Sequence, residues 1–204
     1  MGIGDYIDYA NIDRTINRND NAYTNIKGSP FLFADFKTGK IKLKDGKIYE
    51  GPLRYDIYAD QIEFETSEGD VFAVENPETI DKVFFEDIQL KYFSELFGNS
   101  SLNGLFELLV DGNYILFEKH NVELKDPVPA KPYVEPKPAT FNKKKSVYLV
   151  MNPDGVFTEI ESKKDFALLD PAKKNEIEKF VKQNRIKVSD KDDMMMLVNF
   201  LNKE

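Results

Sequence analysis

Polar and apolar residues alternate along much of residues 28–66, and this alternation predicts short β-strands separated by turns. The clearest strand begins at Leu53, where Leu53, Tyr55 and Ile57 would face one way and the residues between them the other. The connections are too short for crossover helices, so neighbouring strands should be antiparallel. We therefore predict that this stretch is the centre of an antiparallel β-meander.

Residues with turn propensity separate the strand candidates. Asp45-Gly46 predicts a tight hairpin, because a type I′ turn needs positive φ at both central residues. Gly51-Pro52 is expected to end the returning strand, since proline has no N–H to donate to a ladder.

A strand candidate at residues 105–110 is apolar on both faces apart from Glu107. It should pair with residues 114–119 around the turn Asp111-Gly112-Asn113. A strand of this kind is covered on both sides or meets a partner on one side. The C-terminal helices or a partner would have to supply that second cover.

The hydrophobic period changes to that of helices after a predicted hairpin at residues 147–160. Ser162 and Asp165 resemble a capping box for a very short helix, and Asp170-Pro171 is typical of a helix start. Ser189 is the predicted N-cap of the last helix. The apolar residues of that helix, at helical spacing, are Met194, Leu197, Val198 and Leu201.

A proline-rich segment separates the two patterned regions. Residues 125–138 hold half of the 10 prolines and favour an extended polyproline II spacer, with a ligand for a proline-recognition domain as the alternative. We predict an α+β protein with a mostly antiparallel β-meander domain and a small unit of one hairpin and three helices. Its parts are a flexible N-terminal arm at 1–27, the β domain at 28–124, the spacer at 125–142 and the ββααα unit at 143–204.

Charge and composition exclude several functional classes. A net charge of -8 argues against nucleic acid as a partner. The absence of cysteine removes disulfides, thiol catalysis and thiolate zinc sites. His120 is the only histidine, so a metal site built on several imidazoles is excluded, and we place His120 at the surface. We expect no metal, no cofactor and no transmembrane segment, because no apolar run approaches the ~20 residues that span a membrane.

The most regular strand and the turn and strand after it carry the candidate residues for binding a ligand or partner. Arg54, Asp56 and Tyr58 share a predicted face, so Arg54 could pair with an acid or form a fork for a carboxylate. Asp60 and Glu63 extend this set. Paired acids in a cleft would suit a glycosidase, but alternating glutamates are more often the solvent-exposed face of a strand. A solvated face with a structural arginine–acid pair is therefore the competing interpretation.

Several motifs together resemble a known group of proteins. The motifs of that group are GSP(Y/F)L, a following phenylalanine, and KDGK.Y…PLRY(N/D)IY.D.IEF. In this chain they are Gly28-Ser29-Pro30-Phe31-Leu32, Phe36, Lys44-Asp45-Gly46-Lys47, Tyr49, residues 52–58, Asp60 and Ile62-Glu63-Phe64. With the tail KKDFALLDPAKKNEIEKFVKQNRIKVSDKDDMMMLVNFLN, the resemblance covers most of residues 28–204. The chain thus resembles uncharacterised exported proteins that are common in Bacteroidetes.

This resemblance implies export to the periplasm or cell surface, and it implies no activity because none is assigned to the group. The first residues, MGIGDYIDYA, have neither the basic nor the apolar region of a signal peptide. We therefore expect a mature form from which the signal peptide has been removed, with the cytoplasm as the alternative location.

The leading functional prediction is a non-enzymatic exported protein that binds or organises a macromolecular partner, an envelope protein or a glycan. A carrier of a small amphipathic ligand in a β-lined pocket is the alternative, and a carboxylate-dependent hydrolase comes third. A large apolar cavity would favour the carrier, whereas a filled core with an exposed apolar patch or sheet edge would favour partner binding.

Overall fold

The computed structural model describes residues 14–17, 23–94, 102–129 and 135–203, with the backbone alone at 14–17. Antiparallel strands dominate and helices follow near the C-terminus, which confirms the predicted α+β class. The strands are β1 (Arg14–Asn17), β2 (Lys37–Leu43), β3 (Ile48–Asp56), β4 (Gln61–Glu65), β5 (Val71–Val74), β6 (Ile80–Phe85), β7 (Ile88–Phe93), β8 (Gly104–Val110), β9 (Ile115–Lys119), β10 (Val122–Lys125), β11 (Thr140–Lys143), β12 (Val147–Met151) and β13 (Phe157–Ile160). The helices are α1 (Phe166–Leu169), α2 (Lys174–Asn184) and α3 (Lys191–Asn202).

The chain divides into two compact units that alternate along the sequence. The first unit comprises Met1–Tyr92 and Asn121–Lys144, and the second comprises Phe93–His120 and Lys145–Glu204. This division differs from the predicted one, which placed residues 28–124 in a single β domain. The reason is that β9 pairs with β12, so the hairpin of β8 and β9 belongs with the C-terminal strands.

Antiparallel pairing orders the strands of the first unit as β1-β5-β4-β3-β2-β6-β7. A hairpin loop that contains Asp45-Gly46 joins β2 to β3, but only Gly46 of this pair has a positive φ, so the turn is not the predicted type I′. Gly46 has a φ of 90°, a conformation that glycine adopts without strain. The Lys47 N–H donates to Asp45 Oδ1 at 3.0 Å and closes the loop. The sequence β2 to β5 is therefore the predicted meander.

The prediction that Gly51-Pro52 ends a strand is wrong, because β3 runs through both residues. Pro52 lies opposite Thr38 of β2, and the pairing of β3 with β4 begins one residue later, at Leu53. Proline is tolerated in a strand where its nitrogen faces no partner strand. Pro52 has no N–H to donate, as the prediction assumed, but the strand continues through it.

One face of β3 and β4 forms the apolar core that the alternation predicts. Leu53 lies opposite Phe64 and Tyr55 lies opposite Ile62, and all four side chains are buried. Burial of side chains of this size contributes about 1.5–3 kcal/mol each to stability.

Parts of the predicted N-terminal arm are ordered in the first unit. β1 pairs with β5, with Arg14 opposite Val74. Farther along, the Lys27 N–H donates to Ala139 O at 2.9 Å. The arm prediction is therefore wrong for these positions, while residues 1–13 and 18–22 lie outside the described residues.

The proline-rich segment doubles back on itself instead of forming one extended spacer. β10 and β11 pair antiparallel, with Leu124 opposite Phe141. Val128 and Lys137 then exchange backbone hydrogen bonds of 2.8 and 2.9 Å. The prolines alternate with residues that donate, so a short ladder can form around them.

The strands of the second unit are ordered β8-β9-β12-β13, and one face of this sheet carries the helices. Asp170 caps the 3-10 turn that leads into α2, as predicted, by accepting from the Ala172 and Lys173 N–H groups at 3.0 and 3.3 Å. Asp190, and not the predicted Ser189, caps α3. The apolar core under the helices comprises Val110, Tyr114, Leu116, Tyr148, Val150, Ile160, Phe166, Leu169, Ile177, Val181, Ile186, Met194, Leu197, Val198 and Leu201.

The other face of this sheet carries a second apolar cluster, called here the aromatic face. Its members come from β7, β8, β9, β12, β13 and Leu102, and none comes from the described helices. A register shift between Leu108 and Val110 turns Val110 to the helical side, whereas Phe106 and Leu108 stay on the aromatic face. The predicted two-sided strand at 105–110 is therefore confirmed by its burial.

Candidate functional site

The predicted binding residues of the first unit lie on β3, on β4 and in the turn between them. Arg54 lies opposite Glu63, and its Nη2 and Nε donate to Glu63 Oε2 at 2.7 and 3.0 Å. The exposed fractions are 13% for the Arg54 side chain and 2% for the Glu63 side chain. The acid that the structure pairs with Arg54 is thus the cross-strand Glu63, and the prediction that Glu63 faces water is wrong.

Two phenylalanines cover the guanidinium of Arg54. Its Cζ lies 3.7 Å from the ring centre of Phe31 and 4.2 Å from that of Phe36. Phe31 belongs to a segment that bridges to Asp56 at the end of β3. This segment explains why a face expected to be solvated is buried, and cation–π contact adds about 1–2 kcal/mol at such shielded positions.

Asp56 and Asp60 make internal hydrogen bonds. Asp56 is fully buried, and it accepts from the Tyr23 hydroxyl at 2.7 Å and the Ala59 N–H at 2.9 Å. Asp60, which has a φ of 53°, accepts from the Tyr55 hydroxyl at 2.8 Å. Burial first, and then Asp60, raises the pKa of Tyr55 well above its usual value. Both acids therefore help to fix the turn between β3 and β4.

Tyr58 is the most exposed of the predicted binding residues, at 45%. Its ring packs edge-on against Tyr23 and Phe141, with centroid distances of 6.4 and 5.2 Å. The five predicted residues thus contact different neighbours and do not form a single cluster. Each of the four charged residues, Arg54, Asp56, Asp60 and Glu63, has a hydrogen-bond partner within the chain. Their role in binding remains a prediction.

A second polar cluster, called here the Glu–His cluster, lies in the second unit. Glu107 of β8 lies opposite Glu118 of β9, and His120 follows two residues after Glu118. The two glutamates are 5% exposed each, although both are charged residues in strands. Lys191, the first residue of α3, completes the cluster.

Short contacts connect the members of the Glu–His cluster. His120 Nε2 lies 2.7 Å from Glu107 Oε2, and His120 Nδ1 lies 3.7 Å from Glu118 Oε1. Lys191 Nζ lies 2.7 Å from Glu107 Oε1 and 3.5 Å from Glu118 Oε2. Ser146 donates its hydroxyl to Glu118 Oε1 at 2.5 Å. One nitrogen or oxygen from each of Glu107, Glu118 and His120 lies within 4.8 Å of the others, so these three residues could hold a metal ion.

The charges of this cluster shift the pKa values of two members. Burial alone would raise the pKa of Glu107, but hydrogen bonds from His120 and Lys191 outweigh it and hold this pKa below its usual value. Burial alone would lower the pKa of Lys191, but the bond to Glu107 and the charge of Glu118 raise it. Glu107 and Lys191 therefore stabilise each other as an ion pair.

Sequence analysis missed the Glu–His cluster and placed His120 at the surface, whereas the side chain of His120 is 18% exposed. One signal was present: Glu107 is the single polar residue of an apolar strand, and a buried acid requires partners. The partner Lys191 is distant in sequence, and periodicity does not reveal such a contact.

The loop between β8 and β9 is fixed to the end of α3 by one asparagine. Asn202 accepts from the Tyr114 N–H at 2.7 Å and donates to the Tyr114 carbonyl oxygen at 2.8 Å. A Cβ at Gly112 would lie 2.6 Å from Asn202 Nδ2, so a larger residue there would have to displace the Asn202 amide. The Tyr114 hydroxyl donates to Asp170 Oδ2 at 2.8 Å and ties the same loop to the start of α2.

Tyr114→Phe is expected to lower the free energy of unfolding by about 1 kcal/mol near neutral pH. Burial and the hydrogen bond to Asp170 raise the pKa of Tyr114 from its usual value of 10.0 to about 12. The hydrogen bond therefore contributes fully to stability below pH 10, and this contribution is lost as the pH rises towards 12. The same bond lowers the pKa of Asp170, so this contribution is also lost as the pH falls below the usual value of 3.8. Denaturant unfolding of both proteins from pH 3 to 11 measures this window, with Tyr58→Phe as the exposed control. An effect that stays constant across both limits would contradict the assignment.

The edge of the second unit's sheet is a third candidate site. β13 is the last strand in the order β8-β9-β12-β13, and Val156 before it is 57% exposed. Phe157 of β13 packs against Phe93 and Phe117 of the aromatic face, with centroid distances of 5.4 and 6.2 Å. This edge therefore offers backbone groups beside an apolar surface.

A pocket in the first unit has a volume of about 120 Å³. Its lining residues are Phe33, Lys37, Phe85, Glu86, Asp87 and Ile88. Sites for small molecules usually enclose about 300–1,000 Å³. This pocket is thus too small for the amphipathic ligand of the carrier hypothesis.

No family model, curated protein or solved structure matches this chain. The resemblance to exported proteins of Bacteroidetes therefore stays a prediction from the motifs. Within the part of the chain that the structure describes, no helix is both long and apolar enough to cross a membrane.

Proposed function

We propose that this protein is a non-enzymatic exported protein that binds an extended segment of a polypeptide partner by strand addition at β13. The observation that carries this proposal is the position of β13 at the end of its sheet among the described strands. An edge strand directs N–H and C=O groups away from its sheet, and an added strand satisfies them. Export rests on the motif resemblance alone.

The aromatic face gives the proposed interaction a preference for apolar side chains. Phe157 lies on β13 and contacts Phe93 and Phe117, so a strand added beside β13 would extend this surface. Alternate side chains of the added strand would point to that face. The exposed Val156 lies at the start of the edge and would contact the end of the added strand.

Acidic residues near β13 add a preference for positive charge. Glu159 lies on β13, and Glu161 and Asp165 lie close enough to affect its titration. Burial first, and then these two carboxylates, raises the pKa of Glu159. A lysine or arginine of the added strand would favour the ionised carboxylate. Phe157 and Glu159 are two residues apart on β13, so both side chains lie on the aromatic face. The proposed ligand is therefore an extended segment that directs both apolar and basic side chains to this one face.

Site-specific photo-crosslinking tests this function. A photoreactive amino acid at Val156 of the full chain should crosslink to a polypeptide in envelope extract, and the same probe at Ile48, which is 62% exposed, should not. A synthetic peptide with an apolar and a basic residue two positions apart, on one face of the extended chain, should compete, and its sequence-scrambled form should compete less. Equal crosslinking from both positions would contradict the proposal, as would binding to a glycan with no captured polypeptide.

A broad hydrolase screen of the purified protein tests the non-enzymatic part of the proposal. We expect no turnover of small substrates. Robust hydrolysis that disappears in the double variant Asp56→Asn with Glu63→Gln, while this variant stays folded, would support an enzyme instead.

A further inference from the structure

Two buried carboxylates face each other in the Glu–His cluster, which is an unfavourable arrangement without a cation. Glu107 and Glu118 are paired in the register of β8 and β9, and each is 5% exposed. Like charges directly opposite each other destabilise a sheet, and buried carboxylates require compensation. Some positive charge must therefore lie between these strands on this face.

One oxygen of this cluster lacks a hydrogen bond. Glu118 Oε1 accepts from Ser146, but Glu118 Oε2 is buried and has no hydrogen-bond partner among the described residues. Lys191 Nζ lies 3.5 Å from Oε2 and bonds instead to Glu107 Oε1 at 2.7 Å. A buried carboxylate oxygen without a hydrogen bond is costly, so this oxygen is available to a stronger cation.

We propose that Glu107, Glu118 and His120 form a binding site for a divalent transition-metal ion such as Zn²⁺, and that Lys191 takes the position of the ion when none is bound. Lys191 neutralises only one of the two carboxylates. A divalent ion in its place neutralises both, and it binds Glu118 Oε2 directly. The ion thus neutralises the second carboxylate charge and binds Glu118 Oε2, neither of which Lys191 does fully.

The donor atoms suit such an ion. Ligand atoms around a tetrahedral ion with bonds of about 2.1 Å lie about 3.4 Å apart. One donor atom from each of Glu107, Glu118 and His120 lies within 4.8 Å of the others, so small side-chain movements bring them to that separation. His120 Nε2 lies 2.7 Å from Glu107 Oε2, and an ion that binds both atoms takes the place of the proton between them.

Lys191 can leave the site when an ion binds. Its side chain is 43% exposed, and it lies at the start of α3 on a long flexible stem. Its ammonium group therefore competes with the ion for the same two carboxylates. Because the two cations compete, removing the charge of Lys191 should strengthen metal binding.

The mixed donor set selects among metals. Imidazole with carboxylates suits Zn²⁺ and neighbouring transition metals, whereas Mg²⁺ and Ca²⁺ prefer oxygen ligands alone. Calorimetric titration of the metal-free full chain should therefore show one Zn²⁺ site and no comparable site for Mg²⁺ or Ca²⁺. Co²⁺ should give visible absorption bands when it binds in place of Zn²⁺.

Variants of the cluster test which residues bind the ion. Glu118→Gln and His120→Gln should each weaken Zn²⁺ binding by roughly 100-fold. The matched control is Glu178→Gln, whose side chain is 58% exposed on α2, and it should leave the affinity unchanged. Equal Zn²⁺ affinity in wild type and both cluster variants would mean an adventitious ion only and would overturn the proposal.

Lys191→Met separates a metal site from a purely structural ion-pair network. It should bind Zn²⁺ at least about tenfold more tightly than wild type, because the competing cation is gone. In the metal-free state it should melt at a lower temperature, and Zn²⁺ should restore the loss. Unchanged or weaker Zn²⁺ binding by a folded Lys191→Met protein would refute the proposal, even if Glu118→Gln fails to fold.

Discussion

Arg54→Ala is expected to lower the free energy of unfolding by about 3–5 kcal/mol, because it breaks a buried ion pair by removing the guanidinium from the Glu63 carboxylate. The Glu63 side chain is 2% exposed, and the Arg54 guanidinium supplies two hydrogen bonds to it. The variant also removes the cation from between Phe31 and Phe36. Chemical denaturation of the full chain measures the loss.

An exposed pair on the same sheet provides the control for Arg54. Lys40 Nζ lies 3.0 Å from Glu50 Oε2, but these side chains are 53% and 55% exposed. Lys40→Ala should therefore cost less than about 1 kcal/mol. The double variant Arg54→Met with Glu63→Leu should regain most of the stability, since it removes both charges. Equal losses from Arg54→Ala and Lys40→Ala would show that the Arg54 pair is not shielded from water.

Phe166→Ala is expected to lower the free energy of unfolding by about 3–5 kcal/mol, the usual range for removing a buried phenylalanine. Phe166 is 1% exposed in the core under the helices, although its helix α1 spans only four residues. So short a helix has little intrinsic stability, and its buried side chains must hold it in place. Thermal and denaturant unfolding measure the effect.

Leu168→Ala in the same helix is the matched control. Leu168 is 62% exposed, so its removal should change stability by no more than about 0.5 kcal/mol. If the two variants lose similar stability, α1 is stabilised by its own backbone and not by packing of Phe166.

Local sequence signals predicted the strands and helices well, because they depend on neighbours in the chain. Alternation located the apolar face of β3, and Asp45-Gly46 located a hairpin. Strand order cannot be predicted in this way, because it depends on segments that are distant in the chain. β9 pairs with β12 across the whole proline-rich segment, and no residue in either strand identifies its partner strand.

The candidate sites were harder to predict because each depends on contacts between distant segments. The sequence predicts that Glu63 is solvated, but in the structure its partner Arg54 is covered by the segment containing Phe31. The sequence shows Glu107 as an isolated polar residue, and its partner Lys191 belongs to the distant helix α3. In both cases the sequence showed the charge, and tertiary structure determined whether water or another side chain solvates it.

The alternation of the two units along the chain has a consequence for synthesis on the ribosome. The chain enters the second unit at Phe93, returns to the first for Asn121–Lys144, and leaves it again at Lys145. Emerging chains usually fold one domain after another from the N-terminus. Here the second unit has begun before the first has received β10 and β11, so two incomplete units coexist on the nascent chain. Their unpaired strand edges are the surfaces that a chaperone would have to protect until the last helix has emerged.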